Sequence, residues 1–427
     1  MSRKVIISIV GKLYNLKKIK FKYKENEEEC ELLSIFLRKI FNKESYNVSN
    51  IYLIPHSIYH EEEKFLNLLK DEYGIVDGVF QKLLPSFGNV NKEGKTYKFI
   101  NTYDFTRFYI FLNLLKFFLH HNDIDEIYVD INQGWNIYND ILKEAVRNFV
   151  TFYKLMFLNK GKYIKANLIF SEPIFASEGT TKEVFTVPID TKVFFDSPIR
   201  REDTEQLKNL DFTIEEVKFL KSFYRVFSAL KGNAPLVIFT FGYKSPETIM
   251  KFINSLVYKF LDYIDPQKAD EDKFSMQISY KIPRNIPILI NVFFSLALYY
   301  AISSELSSKG IKNNGQIWTN IEDLNKINSV YETFKLEVNK RLLDNDIRNI
   351  KNKAEKSLYD GEELRYCEIE EKPCIDLGNF VIDSKVKRNF WAHSGFERNI
   401  LLVKKEKGEI FLSYHSKVRE KLYLFLE

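Results

Sequence analysis

The stretch VIISIVGKLYN (residues 5–15) is an apolar run that ends at a glycine, as a buried strand followed by a turn does. A helical pattern over residues 28–41 follows, and then a second apolar run, IYLI (residues 51–54), which Pro55 closes. Strand, helix and strand in this order form one β-α-β unit and predict an α/β sheet domain.

The same alternation of strand and helix patterns continues to about residue 200. Its further segments are a helix over residues 102–121, a strand over 127–131, a helix over 138–157, and strands over 165–170, 183–187 and 192–195. We therefore expect one α/β domain over residues 1–200.

Helical patterns replace this alternation in the rest of the chain. They begin with a capping box of Thr213 and Glu216, and the predicted helices cover residues 213–231, 246–263, 286–306 and 322–356. Residues 360–380 mix turn residues with short β-like runs, and helical character returns at Asp383. The sequence thus predicts an all-α domain over residues 201–427 that carries a small β-like insertion at about 360–380.

The composition excludes several classes of protein. With 45% hydrophobic and 28% charged residues, the chain of 427 residues can bury a large core and is not disordered. A formal charge of +5 is too small to bind nucleic acid through overall attraction, so any such contact needs a local cleft. Few cysteines and no signal-peptide order at the N-terminus favour a cytoplasmic protein. Cys30, Cys367 and Cys374 are interpreted as structural, although the last two could also pair or sense redox conditions.

One segment is long and apolar enough to cross a membrane. Residues 285–304 carry no charge, but they include Asn291 and several serines, and Arg284 is the only basic residue that flanks them closely. We interpret the segment as a core or subunit-interface helix and expect a soluble protein without a membrane partner.

Two loops are candidates for ligand binding, because they follow strands whose carboxyl ends collect ligands in sheets of this type. They consist of Gly11, Lys12, Leu13, Tyr14 and Asn15 after the first strand, and of Asp130, Asn132, Gln133, Gly134, Trp135 and Asn136 at the end of strand 127–131. Gly134 permits close backbone approach, and amide and aromatic groups flank it, which suits a nucleotide. An ordinary strand-to-helix turn uses the same residue types.

The sequence contains no motif for a nucleoside triphosphate or a metal. Five residues separate Gly88 from Gly94, where a phosphate-binding loop has four. His56 and His60 stand four residues apart but follow a strand, which favours a surface loop over a metal site.

The segment KRNFWAHSGF (residues 387–396) brings together a cation, an amide and an imidazole. On a helix, Asn389 and His393 share a face, while the longer Arg388 reaches the same space from the preceding turn. An imidazole can transfer the proton of a 2′-OH or a leaving group, and a guanidinium can bind phosphate oxygens, so these groups suit RNA cleavage without a metal. A plain helix end, with Gly395 as a left-handed cap, would have the same sequence.

The longer stretch RNFWAHSGFERN (residues 388–399) resembles the R-N-x-x-A-H-S-G signature of the HEPN ribonuclease domain in type III CRISPR-associated CARF–HEPN proteins. The domain order agrees, since that family has an N-terminal Rossmann-like CARF sensor and a C-terminal helical HEPN domain. Residues 285–305 resemble a core helix of the family. By this resemblance Arg388 and His393 are catalytic and Asn389 is the polar residue of the motif.

A second motif of the family, an Asp-Thr-Thr-His-Gly-x-Asn type of loop, aligns with residues 130–136. Here Ile131 and Asn132 replace the hydroxyl residues and Gln133 replaces the histidine. The resemblance implies a sensor for cyclic oligoadenylate, most often cyclic tetra-adenylate, that activates metal-independent cleavage of single-stranded RNA in antiviral defence, with no cofactor. It also implies a homodimer or larger homo-oligomer, because two HEPN domains form one composite site.

The residues are compatible with such a switch. A ring of repeated adenylates suits two-fold symmetry, so a symmetric dimer could bind it between two sensor loops and rotate on binding. Trp135 and Tyr14 are candidates to stack on adenine, and Lys12 could offset phosphate charge. Trp135 could equally serve interface packing.

Other functions stay open at this point. One alternative is a ligand-responsive CARF transcription regulator or a nucleic-acid-binding module without nuclease activity, although no helix-turn-helix pattern is evident. Another is a sensor domain that itself degrades its activator.

Overall fold

The computed structural model describes residues 3–11, 18–57, 67–72, 79–92, 94–121, 123–132, 136–172, 181–199, 206–207, 210–262, 267–271 and 275–426. The described residues pack into two units. The first comprises Met1–Lys154, Lys162–Val193 and Ile253–Ile290, and the second comprises Leu155–Gly161, Phe194–Phe252 and Asn291–Glu427. The segment Ile253–Ile290, which its helical pattern assigned to the second domain, therefore packs with the first unit.

The first unit contains a large sheet and a small one. Its strands are β1 (Arg3–Ile9), β2 (Ile19–Tyr23), β3 (Asn26–Cys30), β4 (Asn47–Pro55), β5 (Val79–Leu84), β6 (Gly88–Lys92), β7 (Lys95–Ile100), β8 (Ile124–Asp130), β9 (Lys165–Ser171), β10 (Lys182–Pro188), β11 (Gln267–Glu271) and β12 (Ser275–Ser279). Its helices include α1 (Leu33–Lys43), α2 (Tyr103–His120) and most of α3 (Asn136–Met156), with a π-helical turn at Leu68–Glu72.

The large sheet has the strand order β3-β2-β10-β9-β8-β1-β4-β5. Strands β9, β8, β1, β4 and β5 are parallel, whereas β10 pairs antiparallel with β9. β1 and β4 are buried along nearly their whole length, as strands covered on both faces are. The predicted α/β, Rossmann-like domain is thereby confirmed, and its parallel strands end in the two loops that the sequence singled out.

The first helix starts later than its pattern suggested. Residues 26–30 form strand β3, and the helix begins at Leu33. The glutamates of β3 pair with lysines instead of starting a helix: Glu27 lies 2.8 Å from Lys20 of β2, and Glu28 lies 2.5 Å from Lys39. These pairs accompany the antiparallel pairing of β3 with β2, which a local helix pattern does not reveal.

The small sheet has the order β11-β12-β7-β6, and the sequence predicted none of its four strands. Met276 and Ile278 of β12 are buried at alternate positions, which is the period of a strand. β6 and β7 form a hairpin around Gly94, whose φ is +78°. The glycines at 88 and 94 therefore belong to a hairpin and not to a phosphate-binding loop.

The predicted strand at 192–195 is wrong. Strand β10 ends at Pro188, one further backbone hydrogen bond runs from Ile189 N to Ala166 O, and residues 192–195 form no strand. Phe195 instead packs its ring against Phe227 and Phe334, at centroid distances of 5.3 and 4.6 Å.

The second unit is mostly helical. Its helices are α4 (Ile214–Lys231), α5 (Leu236–Phe241), α6 (Pro246–Asp262, shared with the first unit), α7 (Ile286–Ser308, also shared), α8 (Ile321–Asn325), α9 (Ile327–Thr333), α10 (Glu337–Ser357), α11 (Tyr366–Ile369), α12 (Ser384–Ala392), α13 (Ser416–Arg419) and α14 (Tyr423–Leu426), with 3₁₀ turns at Leu158–Lys160 and Leu377–Asn379. The capping box of Thr213 and Glu216 is present as predicted. The single helix predicted over 322–356 is divided into α8, α9 and α10, and Lys335, with a left-handed φ of 59°, separates α9 from α10.

The apolar segment forms helix α7, which is long and apolar enough to span a membrane by composition alone. Most of its residues are buried inside the fold. Within the second unit, Tyr299 accepts a hydrogen bond from Lys244 N at 2.8 Å, and Ser303 donates one to Lys244 O at 2.6 Å. α7 thus has the contacts of a core helix.

The insertion belongs to a sheet of the second unit. Strands β13 (Thr319–Asn320), β14 (Glu363–Arg365), β15 (Leu401–Glu406) and β16 (Glu409–Tyr414) have the order β13-β16-β15-β14. A disulfide joins Cys367 to Cys374, with Cα atoms 5.5 Å apart, while Cys30 is a buried thiol of the first unit.

Candidate functional site

Helix α12 carries the R-N-x-x-A-H motif and has a fixed orientation. Asp383 caps its N-terminus by accepting a hydrogen bond from Val386 N at 2.8 Å. Val386 and Phe390, four residues apart, are buried, and the Phe390 ring stacks on Phe425 at 4.4 Å. Because this apolar face points inward, Arg388 and Asn389 lie on other sides of the helix.

The helix ends at Ala392, and His393 is its C-cap. Ser394 and Gly395 have φ values of +51° and +78°, and Gly395 N donates to Phe390 O at 2.8 Å, as in a left-handed helix cap. A Cβ atom on Gly395 would lie 2.9 Å from the Cβ of Ala234, so this position requires glycine. The backbone here has the conformation of an ordinary helix end. The His393 imidazole is nevertheless 62% exposed and remains available for chemistry.

The nearest acidic group to His393 comes from helix α10. Oδ1 of Asp346 lies 3.8 Å from His393 Nδ1, and Oδ2 accepts a hydrogen bond of 2.6 Å from Ser394 Oγ. Ser394 Oγ in turn accepts one of 2.9 Å from Asn233 Nδ2. Burial raises the pKa of the Asp346 carboxyl above its usual range, although Ser394 and His393 both oppose that shift.

Asp346 and Asn233 are absent from the predicted site. They lie far from His393 in the sequence, on segments whose patterns indicate only helix packing. A carboxylate on an exposed-looking helix has no local signal that would connect it to a distant histidine.

A cleft of about 320 Å³ opens beside His393. Polar and charged side chains dominate its lining, which consists of Asp346, Asn349, Ile350, Lys353, Tyr366, Glu370, Lys372, Asn389, His393, Phe396, Glu397 and Arg398. Asn389 and His393 thus line the same cleft, as their spacing predicted. The cleft is large enough to receive part of a nucleotide chain.

Arg388 is not among the residues that line this cleft. Its side chain is exposed and forms no hydrogen bond or ion pair with any residue that the structure describes. Five residues at 3.6 per turn put Arg388 and His393 about 140° apart around the helix axis. A single copy of this helix therefore directs the two side chains into different spaces.

The insertion forms the far wall of the cleft. Glu370 accepts hydrogen bonds from Lys353 at 2.7 Å and from Lys372 at 3.1 Å. The end of the motif holds this wall in place, because Asn399 Oδ1 accepts from Ile375 N at 3.1 Å and Arg398 O accepts from Cys367 N at 3.0 Å.

The structure describes only part of the two predicted ligand loops. Gly11, Asp130, Asn132 and Asn136 are described, whereas Lys12, Leu13, Tyr14, Asn15, Gln133, Gly134 and Trp135 lie outside the described residues. Gly11 directly follows the β1 strand and its neighbour Val10, whose amide donates to Leu53 O at 2.9 Å. Asn136 is exposed at the first position of α3.

Asp130 and Asn132 are engaged within the sheet end. Asp130 is 2% exposed and accepts hydrogen bonds from Ser8 Oγ at 3.3 Å and from Asn132 N at 3.0 Å. Burial raises its pKa to about 6, against the opposing effect of these hydrogen bonds. The Asn132 side chain exchanges two hydrogen bonds with Ser171, of 3.0 and 2.8 Å. These contacts give both residues the geometry of loop supports.

Metal-binding groups are not evident in the described ranges, where no three or more His, Cys, Asp or Glu residues converge. His56 Nδ1 lies 2.8 Å from the Tyr280 hydroxyl, and burial lowers the pKa of His56. His60 lies outside the described residues.

Comparison with known protein families gives two matches. Residues 5–173 match the CARF domain of the CRISPR system endoribonuclease Csx1, and residues 336–417 match its HEPN domain. The first match contains both predicted ligand loops, and the second contains Asp346, Arg388 and His393. A comparison with curated proteins finds no match.

Proposed function

Because the chain belongs to the CARF–HEPN family of CRISPR-associated ribonucleases, we propose that it cleaves single-stranded RNA when cyclic oligoadenylate, in the form of the tetra-adenylate ring, binds its CARF domain. The reaction needs no metal and no other cofactor. The protein acts in the cytoplasm as part of type III CRISPR antiviral defence.

The cleft beside His393 is the observation that carries this proposal. An exposed imidazole and the Asn389 amide line one wall of a polar cavity that can receive RNA. In the proposed reaction the 2′ oxygen attacks phosphorus, the bond from phosphorus to the 5′ oxygen breaks, and a 2′,3′-cyclic phosphate and a 5′-OH form. His393 takes the 2′-OH proton or delivers one to the 5′ oxygen, since an imidazole exchanges protons near neutral pH.

Arg388 supplies the positive charge for the transition state. A guanidinium binds two phosphate oxygens at once, and the side chain of Arg388 has no competing partner within the described part of the chain. Asn389 orients the substrate or the imidazole through its amide.

A homodimer or larger homo-oligomer completes the site. Arg388 and His393 of one helix point into different spaces, which supports a composite site in which two α12 helices meet. Activator binding at the CARF domains then changes the relative position of the two helices, driven by tighter binding of the ring to the active state.

The sensor loops bind the activator. Gly11, Lys12, Leu13, Tyr14 and Asn15 form one side of the proposed pocket, and Asn132, Gln133, Gly134, Trp135 and Asn136 form the other, with Asp130 supporting the second loop from below. Asn132 N donates to Asp130 Oδ1, and the Asn132 side chain exchanges two hydrogen bonds with Ser171, so these contacts hold the start of the second loop in place.

The test incubates the purified protein with labelled single-stranded RNA in EDTA, with and without cyclic tetra-adenylate. We expect cleavage only with the activator, and products with a 2′,3′-cyclic phosphate or 3′-phosphate. His393→Ala and Arg388→Ala are each expected to lower the rate by at least about a hundredfold. Lys385→Ala, an exposed position of the same helix, is the matched control and should cleave normally.

Three results would contradict the proposal. Cleavage that requires an added metal ion would remove His393 from the proton-transfer role. No RNA cleavage with either the tetra- or the hexa-adenylate ring would favour a ligand-responsive regulator or a binding module instead. Loss of the activator during incubation, without RNA cleavage, would identify the sensor domain as a nuclease for its own ligand.

A further inference from the structure

We propose that Asp346 is a positioning residue that holds the imidazole of His393 in the Nδ1–H tautomer and directs Nε2 into the cleft. The inference rests on the proposed function for its kinetic consequence. It starts from the 3.8 Å separation of Asp346 Oδ1 and His393 Nδ1, in a cleft that both residues line. A carboxylate that faces one ring nitrogen fixes which nitrogen carries the proton.

The carboxylate is itself held from behind. Ser394 Oγ donates to Asp346 Oδ2 at 2.6 Å, and Asn233 Nδ2 donates to the same hydroxyl at 2.9 Å. Ser394 is fully buried and Asn233 nearly so. Because Oδ2 is engaged by this buried pair, Oδ1 is left to face His393, and the carboxylate cannot turn away without breaking the chain of hydrogen bonds.

This arrangement explains the serine of the motif. Ser394 directly follows His393 and has a left-handed φ of +51°, which turns its hydroxyl back toward α10 while the imidazole remains in the cleft. The same turn thus places the proton-transfer group and the anchor of its carboxylate side by side.

The distance of 3.8 Å is an ion-pair distance and is too long for a hydrogen bond. Catalytic hydrogen bonds are commonly long in the free enzyme and shorten when substrate binds. We therefore expect Nδ1–H to approach Oδ1 by about 1 Å when RNA occupies the cleft.

The other charged groups of the cleft do not replace Asp346. Lys353 and Lys372 both bind Glu370, and Glu397 accepts hydrogen bonds from Asn399 at 2.7 and 2.9 Å. Arg398 is a cation and cannot accept a proton from the imidazole. Among the described residues, Asp346 is the carboxylate within ion-pair distance of His393.

The kinetic test compares Asp346→Asn with wild type under activated conditions. Asparagine keeps the shape and the contact with Ser394 but cannot hold the Nδ1 proton as a carboxylate does. We expect kcat to fall at least about tenfold, because the carboxylate that orients the histidine is lost, while KM changes by less than about twofold. Asp346→Glu should restore part of the loss. Asp344→Asn, on the same helix and hydrogen-bonded to Asn328, is the matched control and should retain full kcat.

A second measurement does not depend on activity. Imidazole ¹⁵N shifts report which nitrogen carries the proton, and the His393 signal is identified among the six histidines by its loss in His393→Ala. We expect neutral His393 to be protonated on Nδ1 in wild type and in Asp344→Asn, and to lose this preference in Asp346→Asn. An unchanged tautomer in Asp346→Asn overturns the inference, as does a loss of activity that appears only as a raised KM. If wild type cleaves no RNA, the proposed function fails, and the tautomer alone still decides the role of Asp346.

Discussion

Asp130 is a carboxyl group buried at the end of β8, and its pKa is raised to about 6 by that burial. The ordinary value is 3.8. Above about pH 6 the folded protein therefore holds a buried charge that the unfolded chain exposes to water, and this lowers the free energy of unfolding by about 3 kcal/mol. The cost decreases as the pH falls through 6 and vanishes once both states are protonated.

We expect Asp130→Asn to stabilise the fold at about pH 8 by up to about 3 kcal/mol and to have no effect near about pH 2, where the carboxyl is protonated in both states. Denaturant unfolding of both proteins across this range measures the difference. Asp123→Asn is a control of opposite sign: partial burial raises its pKa, but Arg3, at 2.9 Å, outweighs this and holds that pKa below its ordinary value. That variant should lose stability at neutral pH and match wild type in acid. A pH-independent gain from Asp130→Asn would contradict the raised pKa.

The contacts of His393 differ in whether they are local in the sequence. Asn389 and His393 share a cleft because four residues on a helix bring them to one side, and this is a local relation. Asp346 meets His393 through the packing of two helices, which no spacing in the sequence encodes. The shared position of Asn389 and His393 was therefore predictable from the sequence, and the contact of Asp346 with His393 was not.

The insertion at about 360–380 contains the disulfide between Cys367 and Cys374. Cys367 and Cys374 close a short loop that carries Glu370 and Lys372, both of which line the cleft. In the chain-entropy account, a crosslink that closes a loop of eight residues lowers the entropy of the unfolded chain and raises the free energy of unfolding by about 2.5 kcal/mol. The pairing was one of the open interpretations of these cysteines.

We expect Cys374→Ser to lower the free energy of unfolding by about 2 kcal/mol and reductant to do the same to wild type. Reductant should have no further effect on the variant, which separates the crosslink from other thiol effects. Denaturant unfolding with and without reductant is the measurement. Equal stability of the oxidised and reduced wild type would show that the hydrogen bonds to Arg398 and Asn399 hold this loop alone.

Elements with strong periodic patterns were predicted closely. Helix α4, with its capping box, and helix α12, with its Asp383 cap, begin within a residue of their sequence signals. The errors lie where a partner outside the local pattern decides: residues 26–30 form β3 because they pair antiparallel with β2. β12 pairs with β7, which lies far earlier in the chain, and β11 then pairs with β12.

At the scale of the whole molecule, the chain returns to its first unit after entering its second. The segment Ile253–Ile290 packs with the first unit, although about sixty residues of the second unit precede it. Composition and periodicity change near residue 200, so they indicate where the sheet domain stops and cannot show that a later segment rejoins it.

The proposed composite site gives a test at this scale. Arg388→Ala and His393→Ala chains, each inactive alone, should regain partial activity when co-expressed with different tags and purified as mixed oligomers. The reason is that each mixed dimer keeps one Arg388 and one His393 on different chains. Mixed oligomers that stay as inactive as either variant alone would show that both side chains must come from one copy.

Gly232, at the end of α4, leaves its space to the indole of Trp391, because a Cβ atom there would lie 2.2 Å from the ring carbon Cζ3. The side-chain size that is tolerated at position 232 thus depends on the residue at position 391, and the reverse also holds. Across related chains, positions 232 and 391 should covary: tryptophan is expected only opposite glycine, and a larger residue at 232 should accompany a short side chain at 391. The history of the family would then preserve this contact as a paired record even where neither residue is itself retained.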